Sequence, residues 1–154
     1  MAGTSQFVYV GTYTNHPPEP KGRGEGIYVY RFDSESGELD FVSLTPDVPN
    51  PSFLAVHPDG QTLYAVNEVA ALDGKPHGAV SAFAIERETG NLMFLNRQPS
   101  HGTDPCHLSI DRSGHVVLVA NYSSGSIAAL PIETDGRLGP ASDTRQHRGS
   151  GPDP

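Results

Sequence analysis

The sequence predicts an all-β chain, and three observations carry that prediction. The stretch Pro51–Glu68, PSFLAVHPDGQTLYAVNE, recurs as Pro105–Tyr122, PCHLSIDRSGHVVLVANY. Pro51 matches Pro105, Leu54 matches Leu108, Gly60 matches Gly114 and Asn67 matches Asn121, each pair 54 positions apart. The 17 glycines and 14 prolines among 154 residues punctuate short apolar runs rather than forming tracts, as turns between strands do. Few windows carry the apolar period of a helix. A strand-built repeat of about 50 residues is the period of a β-propeller blade, so the predicted architecture is blades of four antiparallel strands.

The elements follow in order. Phe7–Tyr13, FVYVGTY, alternates and aligns with Thr62–Glu68, Tyr9 falling on Tyr64 55 positions later. The chain therefore starts at the second strand of a blade. Asn15–Glu25 is a Pro/Gly/charge loop. Gly26–Phe32 alternates as a strand, Asp33–Gly37 turns, and Leu39–Leu44 is the next strand. Thr45–Asn50 leads into the repeat at Pro51. After Glu68 come a loop at Val69–His77, a strand at Ala79–Ile85, the turn ERETG and a strand at Leu92–Asn96. This copies GIYVYRF–DSESG–LDFVSL, with Gly37 on Gly90. Cys106–Asp111 and Val116–Asn121 form a hairpin about Arg112–His115. The apolar, β-branched run in its second strand predicts burial on both faces. A third outer hairpin starts at Gly125, Gly136 matching Gly90.

The expected blades cover about 5–46, 51–99 and 105–147. That is about three of an expected seven, and propellers close with four to eight. The chain stops in GSGPDP, where another first strand is due. It reads as an incomplete propeller, the N-terminal portion of a longer protein without its C-terminal blades. Its open blade edges offer a route to self-association.

Charge narrows the partners. The net charge is −8 with no stripe of Lys or Arg, which argues against nucleic acid and anionic membranes. The longest aliphatic run, Val116–Ala120, is far too short to span a bilayer. The N-terminus, MAGTSQFVYVG, lacks the charged and apolar regions of a secretory signal. The single cysteine, Cys106, suits a reducing compartment, so a cytoplasmic location is expected. Cys106 itself reads as a small buried hydrophobe.

Strand alternation also places a site. The loop entering the first strand of a blade and the loop between its second and third strands share one face. That face carries Tyr13-Thr14-Asn15, Asn50-Pro51, Asn67-Glu68, His101–His107 and Asn121-Tyr122. The opposite face carries turns that backbone geometry alone explains. His107, at the start of an inner strand, is the expected general base or carbonyl-polarising donor; its competing role is a hydrogen bond between blades. Glu68 is expected to orient a water or a histidine, with a solvated rim charge as the alternative. Tyr13, Asn67, His101, Asn121 and Tyr122 are the expected substrate contacts. For Asn67 and Asn121 the rival reading is a turn cap repeated in each blade. Arg145 and Arg148, in TRQHRGSG, are expected at the next incoming loop, where a guanidinium fork would grip phosphate. No metal ligand set and no cofactor motif is read. GRGEG lacks the strand–Gly-rich–Lys-Ser/Thr context of a phosphate loop, and no G-x-S-x-G elbow is present.

With the repeats placed, FVYVGTYT, GIYVYRFD, NPSFLAVHPDGQTLYAVNE, GTDPCHLSIDRSGHVVLVANYSSGSI and GSGP resemble the propeller-type 6-phosphogluconolactonase family, also called the lactonase family. Related carboxymuconate cyclases share its fold. The resemblance implies a seven-bladed ring of somewhat over twice this length. It also implies a Pro-His-Ala-His segment in the cleft shortly after the GSGP stretch, and this sequence stops before that point. The implied reaction is metal-independent hydrolysis of a sugar lactone, 6-phosphogluconolactone, to the open acid. A neutral imidazole would take the proton, and Asn or Arg donors would steady the oxyanion. Lactonising chemistry on muconate-type acids and a non-catalytic binding propeller are the alternatives. A metal-dependent sugar lactonase using Glu68 and Asn121 as oxygen donors is a third.

Overall fold

The computed structural model describes residues 6–14 and 22–150. Every regular element among them is a strand, and the strands form three antiparallel sheets. The first sheet holds β1 (Gln6–Gly11), β2 (Gly26–Phe32) and β3 (Leu39–Pro46). The second holds β4 (Leu54–Val56), β5 (Thr62–Asn67), β6 (Ala79–Ile85) and β7 (Leu92–Pro99). The third holds β8 (Pro105–Ile110), β9 (Val116–Asn121), β10 (Ser126–Pro131) and β11 (Asp143–Gln146). In each sheet the strands lie side by side in chain order. This is the stacked meander of propeller blades.

The two outer hairpins are copies in detail. Ladder irregularities fall between Val29 and Tyr30 and between Ala82 and Phe83, the same place in the repeat. A bulge sharpens local twist, so each blade twists at the same point. β3 and β7 run farther than their apolar alternation predicts, ending at Pro46 and Pro99. Pairing with Gly26 and Ala79 carries them on, and a proline without a donor then ends each ladder. The turn glycines 37, 60, 90, 114 and 136 all take φ between 71° and 84°, as tight turns require.

The sheets stack face on face, and β5 shows why the middle one is the best buried. All six of its residues are buried. Leu63 and Ala65 pack toward Ile27 and Val48 of the first blade. Tyr64 and Val66 pack against Leu108, Val117, Val119, Ala128 and Leu130 of the third. Each valine, leucine or isoleucine so removed from water contributes about 1.5–3 kcal/mol before conformational entropy is charged against it.

β9 corrects the expectation of two buried faces. Val117 and Val119 are buried against the second blade, but Leu118 is 47% exposed. The apolar run that is covered on both sides in β5 has a neighbour on one side only in β9. Cys106 also differs from expectation, being half-buried. The β8–β9 register shifts between Pro105 and His107, so Cys106 is the extra residue of a bulge.

Candidate functional site

The polar face gathers its side chains at the junction of the first two blades. Asn50 is fully buried there, in a left-handed backbone conformation with φ 38°. Its Oδ1 accepts from the Thr14 amide (2.8 Å) and hydroxyl (3.1 Å) of the first blade. Its Nδ2 donates to the Glu68 carbonyl (3.1 Å), and the Glu68 amide donates back to the Asn50 carbonyl (3.1 Å). Asn50 thus bolts the end of one blade's second strand to the end of the next. This brings Tyr13 beside Glu68. The Tyr13 hydroxyl donates to Glu68 Oε2 at 2.9 Å, and the Ser52 hydroxyl donates to the same oxygen at 2.5 Å.

His107 lies one blade on. It is exposed on β8, opposite Leu108, and its ring meets that of Phe53 with centroids 4.4 Å apart. Phe53 occupies the equivalent place in the second blade, so the two rings meet at a 48° tilt where adjoining inner strands begin. His107 also lines a groove of about 330 Å³ on the open face of the third blade, with Leu118, Ala120, Ile127 and Arg145.

The remaining expected residues separate into three groups. Asn67 and Asn121 sit at equivalent strand ends and are buried. Asn67 Nδ2 donates to the Pro49 carbonyl (2.9 Å), and its Oδ1 accepts from Ser81 (2.6 Å). Asn121 Nδ2 donates to the Ser100 carbonyl (3.0 Å) and the Ser126 hydroxyl (3.1 Å). Both side chains tie the end of the second strand to the loop entering their blade and to its third strand. Tyr122 and His101 are exposed on the rim; His101 takes φ 55° at the position where the previous blade has Asp47 at φ 59°, so a local turn accounts for its backbone. Arg145 departs from the expected incoming loop. It lies within β11, opposite Ile127, and pairs with Asp143 at 3.0 Å. Only Arg148 follows the strand, and it is exposed.

A cleft of about 510 Å³ opens on the opposite face between the turns of the second and third blades. Its polar groups are committed to holding those turns. His57 Nε2 meets the Gly114 carbonyl at 2.9 Å and its Nδ1 meets Asp59 at 2.8 Å. Burial alone would lower the His57 pKa, but the Gly114 carbonyl, Asp59 and the Asp111 charge together raise it. Tyr64 donates to the Gly136 carbonyl (2.9 Å), and burial pushes its hydroxyl up to about 12. Asp111 is held well below the carboxylate range by the Ser113 hydroxyl and by backbone amides of its own turn.

Sequence reasoning put Asn50 on the site face without a role, and it passed over Ser52 and Phe53 as site members. Their signal was faint: an Asn-Pro-Ser-Phe run entering an inner strand, whose hydroxyl meets a carboxylate 16 residues later only once the strands are paired. Among the described residues, no three His, Cys, Asp or Glu side chains are grouped to hold a metal ion. No helix of these residues is long and apolar enough to cross a membrane.

Residues 7–154 match the family described as lactonase, 7-bladed β-propeller. A Bacillus subtilis protein named 6-phosphogluconolactonase is 37% identical over 149 residues, covering 97% of this chain and 40% of the relative. A Bacteroides fragilis crystal structure, provisionally assigned as a 6-phosphogluconolactonase, superposes with a TM-score of 0.85 at 43% identity, covering 98% of this chain and 39% of that one. A Pseudomonas aeruginosa structure named periplasmic gluconolactonase gives 0.79 at 32% identity, covering 93% and 39%. The chain thus spans about 40% of the length of the curated relative it matches.

Proposed function

The chain belongs to the seven-bladed β-propeller lactonase family, and from that membership we propose that it forms part of the ligand-binding mouth of a lactonase that hydrolyses 6-phosphogluconolactone to 6-phosphogluconate. The observation that carries this reading is the convergence of Tyr13 and Ser52 on the Glu68 carboxylate, with His107 exposed against Phe53 on the inner strand of the next blade. Lactone hydrolysis needs a water delivered to a ring carbonyl and a group to take its proton. His107 is the base. Its ring rests against that of Phe53, tilted 48° to it with centroids 4.4 Å apart, a contact that limits its rotation. Glu68 accepts hydrogen bonds from the sugar hydroxyls or the incoming water. Arg148 is the local cation for a phosphoryl group. The ligand is a small sugar lactone, no metal takes part, and the compartment is the cytoplasm.

An unphosphorylated lactone is the second reading. The Arg145–Asp143 pair favours it, because it commits one of the two expected phosphate cations. The test is hydrolysis of both lactones in chelator, for the chain alone and joined to a complete ring. The expected result is turnover that survives chelation and falls about 10²–10⁴-fold in His107→Ala. Turnover lost on chelation, or none on either lactone, sinks the proposal.

A further inference from the structure

We propose that Ser52 is a positioning residue, whose hydroxyl fixes the Glu68 carboxylate in the orientation that meets the ligand; this rests on Glu68 belonging to the lactone site. The internal repeat separates this contact from the scaffold around it. The backbone clasp recurs in the next blade: the Glu68 amide donates to the Asn50 carbonyl, and the Tyr122 amide donates to the Asp104 carbonyl, 54 positions on. That clasp is therefore part of how a blade ends, whatever its side chains do. The side-chain contact does not recur. Ser52 corresponds to Cys106 and Glu68 to Tyr122, so the blade that lacks the carboxylate also lacks the hydroxyl. The second blade carries hydroxyl and carboxylate together, and the third carries neither.

The geometry gives the hydroxyl a job. Tyr13 approaches Oε2 from the first blade and Ser52 approaches it from the second blade's own incoming loop. Two donors from different blades on one oxygen constrain the carboxylate plane more tightly than either does alone. Misplacing a catalytic or binding group by an ångström costs far more rate than stability.

The test compares Ser52→Ala, Ser52→Thr and Glu68→Gln, with the double variant Ser52→Ala/Glu68→Gln. Hydrolysis of 6-phosphogluconolactone and calorimetric binding of 6-phosphogluconate are both read. Ser52→Ala is expected to lower kcat/KM roughly tenfold or more, the value of a hydrogen bond to a charged group. The loss should fall mainly on kcat, with Ser52→Thr restoring it and an unchanged Tm. In the Glu68→Gln background Ser52→Ala is expected to cost nothing further, since it acts through that carboxylate. Wild-type turnover with Ser52→Ala unaffected, or the same loss in both backgrounds, overturns the inference while leaving the lactonase reading intact. Product binding without turnover, weakened by Ser52→Ala only where Glu68 is present, overturns the lactonase reading while the positioning role stands. Neither turnover nor binding overturns both.

Discussion

At the scale of single residues, Asn121 shows how the blades differ beneath a common pattern. Its Oδ1 is buried without a hydrogen-bond partner. In the second blade the matching Oδ1 of Asn67 accepts from Ser81, which in turn accepts from Arg97 at 2.9 Å. The register of β9 with β10 puts Ala128 where Ser81 stands in β6, so the third blade has lost its donor. Ala128→Ser is therefore expected to stabilise the chain by about 0.5–1.5 kcal/mol, read as a rise in the urea midpoint without a change in slope. His57 makes a second prediction. With both ring nitrogens protonated it donates to the Gly114 carbonyl and to Asp59 together; neutral, it can serve only one of them as donor. Its folded pKa lies above the ordinary 6.5, so its stabilisation is complete below that value and is lost as pH rises through the folded value. Urea midpoints should fall as pH climbs from 6 toward 8. His57→Gln should flatten that part of the profile, and an identical slope in the variant would assign it elsewhere. Asn121 was visible in the sequence as a repeated position, and His57 stands beside the Pro-Asp-Gly turn that the repeat marks. Their partners were not, because a partner across a blade junction is fixed by sheet packing rather than by local spacing.

At the scale of elements, adjacent blades are fastened by a tyrosine that reaches forward to a turn glycine. Tyr9 donates to the Gly90 carbonyl at 3.0 Å and Tyr64 to the Gly136 carbonyl at 2.9 Å. Tyr64→Phe should cost about 0.5–1.5 kcal/mol, because it removes a hydrogen bond across a part-buried joint. Tyr9→Phe should cost less, because Tyr9 is only partly buried. Thermal unfolding of the pair decides this. Gly114→Ala should be worse than an ordinary turn substitution, by about 1–3 kcal/mol. Its φ is 74°, and a Cβ there would stand 2.6 Å from His57 Nε2. The strands themselves were legible because alternation and turn glycines are local signals. The ends of β3 and β7 and the bulge at Cys106 were not, since cross-strand pairing sets them.

At the scale of the whole molecule, the described residues leave two apolar faces uncovered. One carries Leu118 and Ile127 of the third blade, the other Val10 and Phe41 of the first. Internal junctions of this kind bury tyrosine, valine and leucine, so the open faces are suited to the same packing. The 154-residue chain is expected to associate as its concentration rises, with an apparent mass by light scattering that Leu118→Lys or Phe41→Lys returns to the monomer value. A monomer at every concentration would refute this. The architecture was readable in the sequence because the repeat states it three times. The grouping of Tyr13, Ser52 and Glu68 was only half readable: the shared face followed from strand direction, but the convergence on one oxygen needed the Asn50 bolt.

The tyrosine series gives the stack a direction. Each blade supplies a hydroxyl ahead of it and a glycine carbonyl behind it, so the blades couple like links with a hook at one end and an eye at the other. Position 118 is where the third hook would be, and it is leucine. Whatever packs against that face meets Leu118 and Ile127 beside His107, Asp143 and Arg145, so this seam would be joined without the tyrosine hook that fastens the other two.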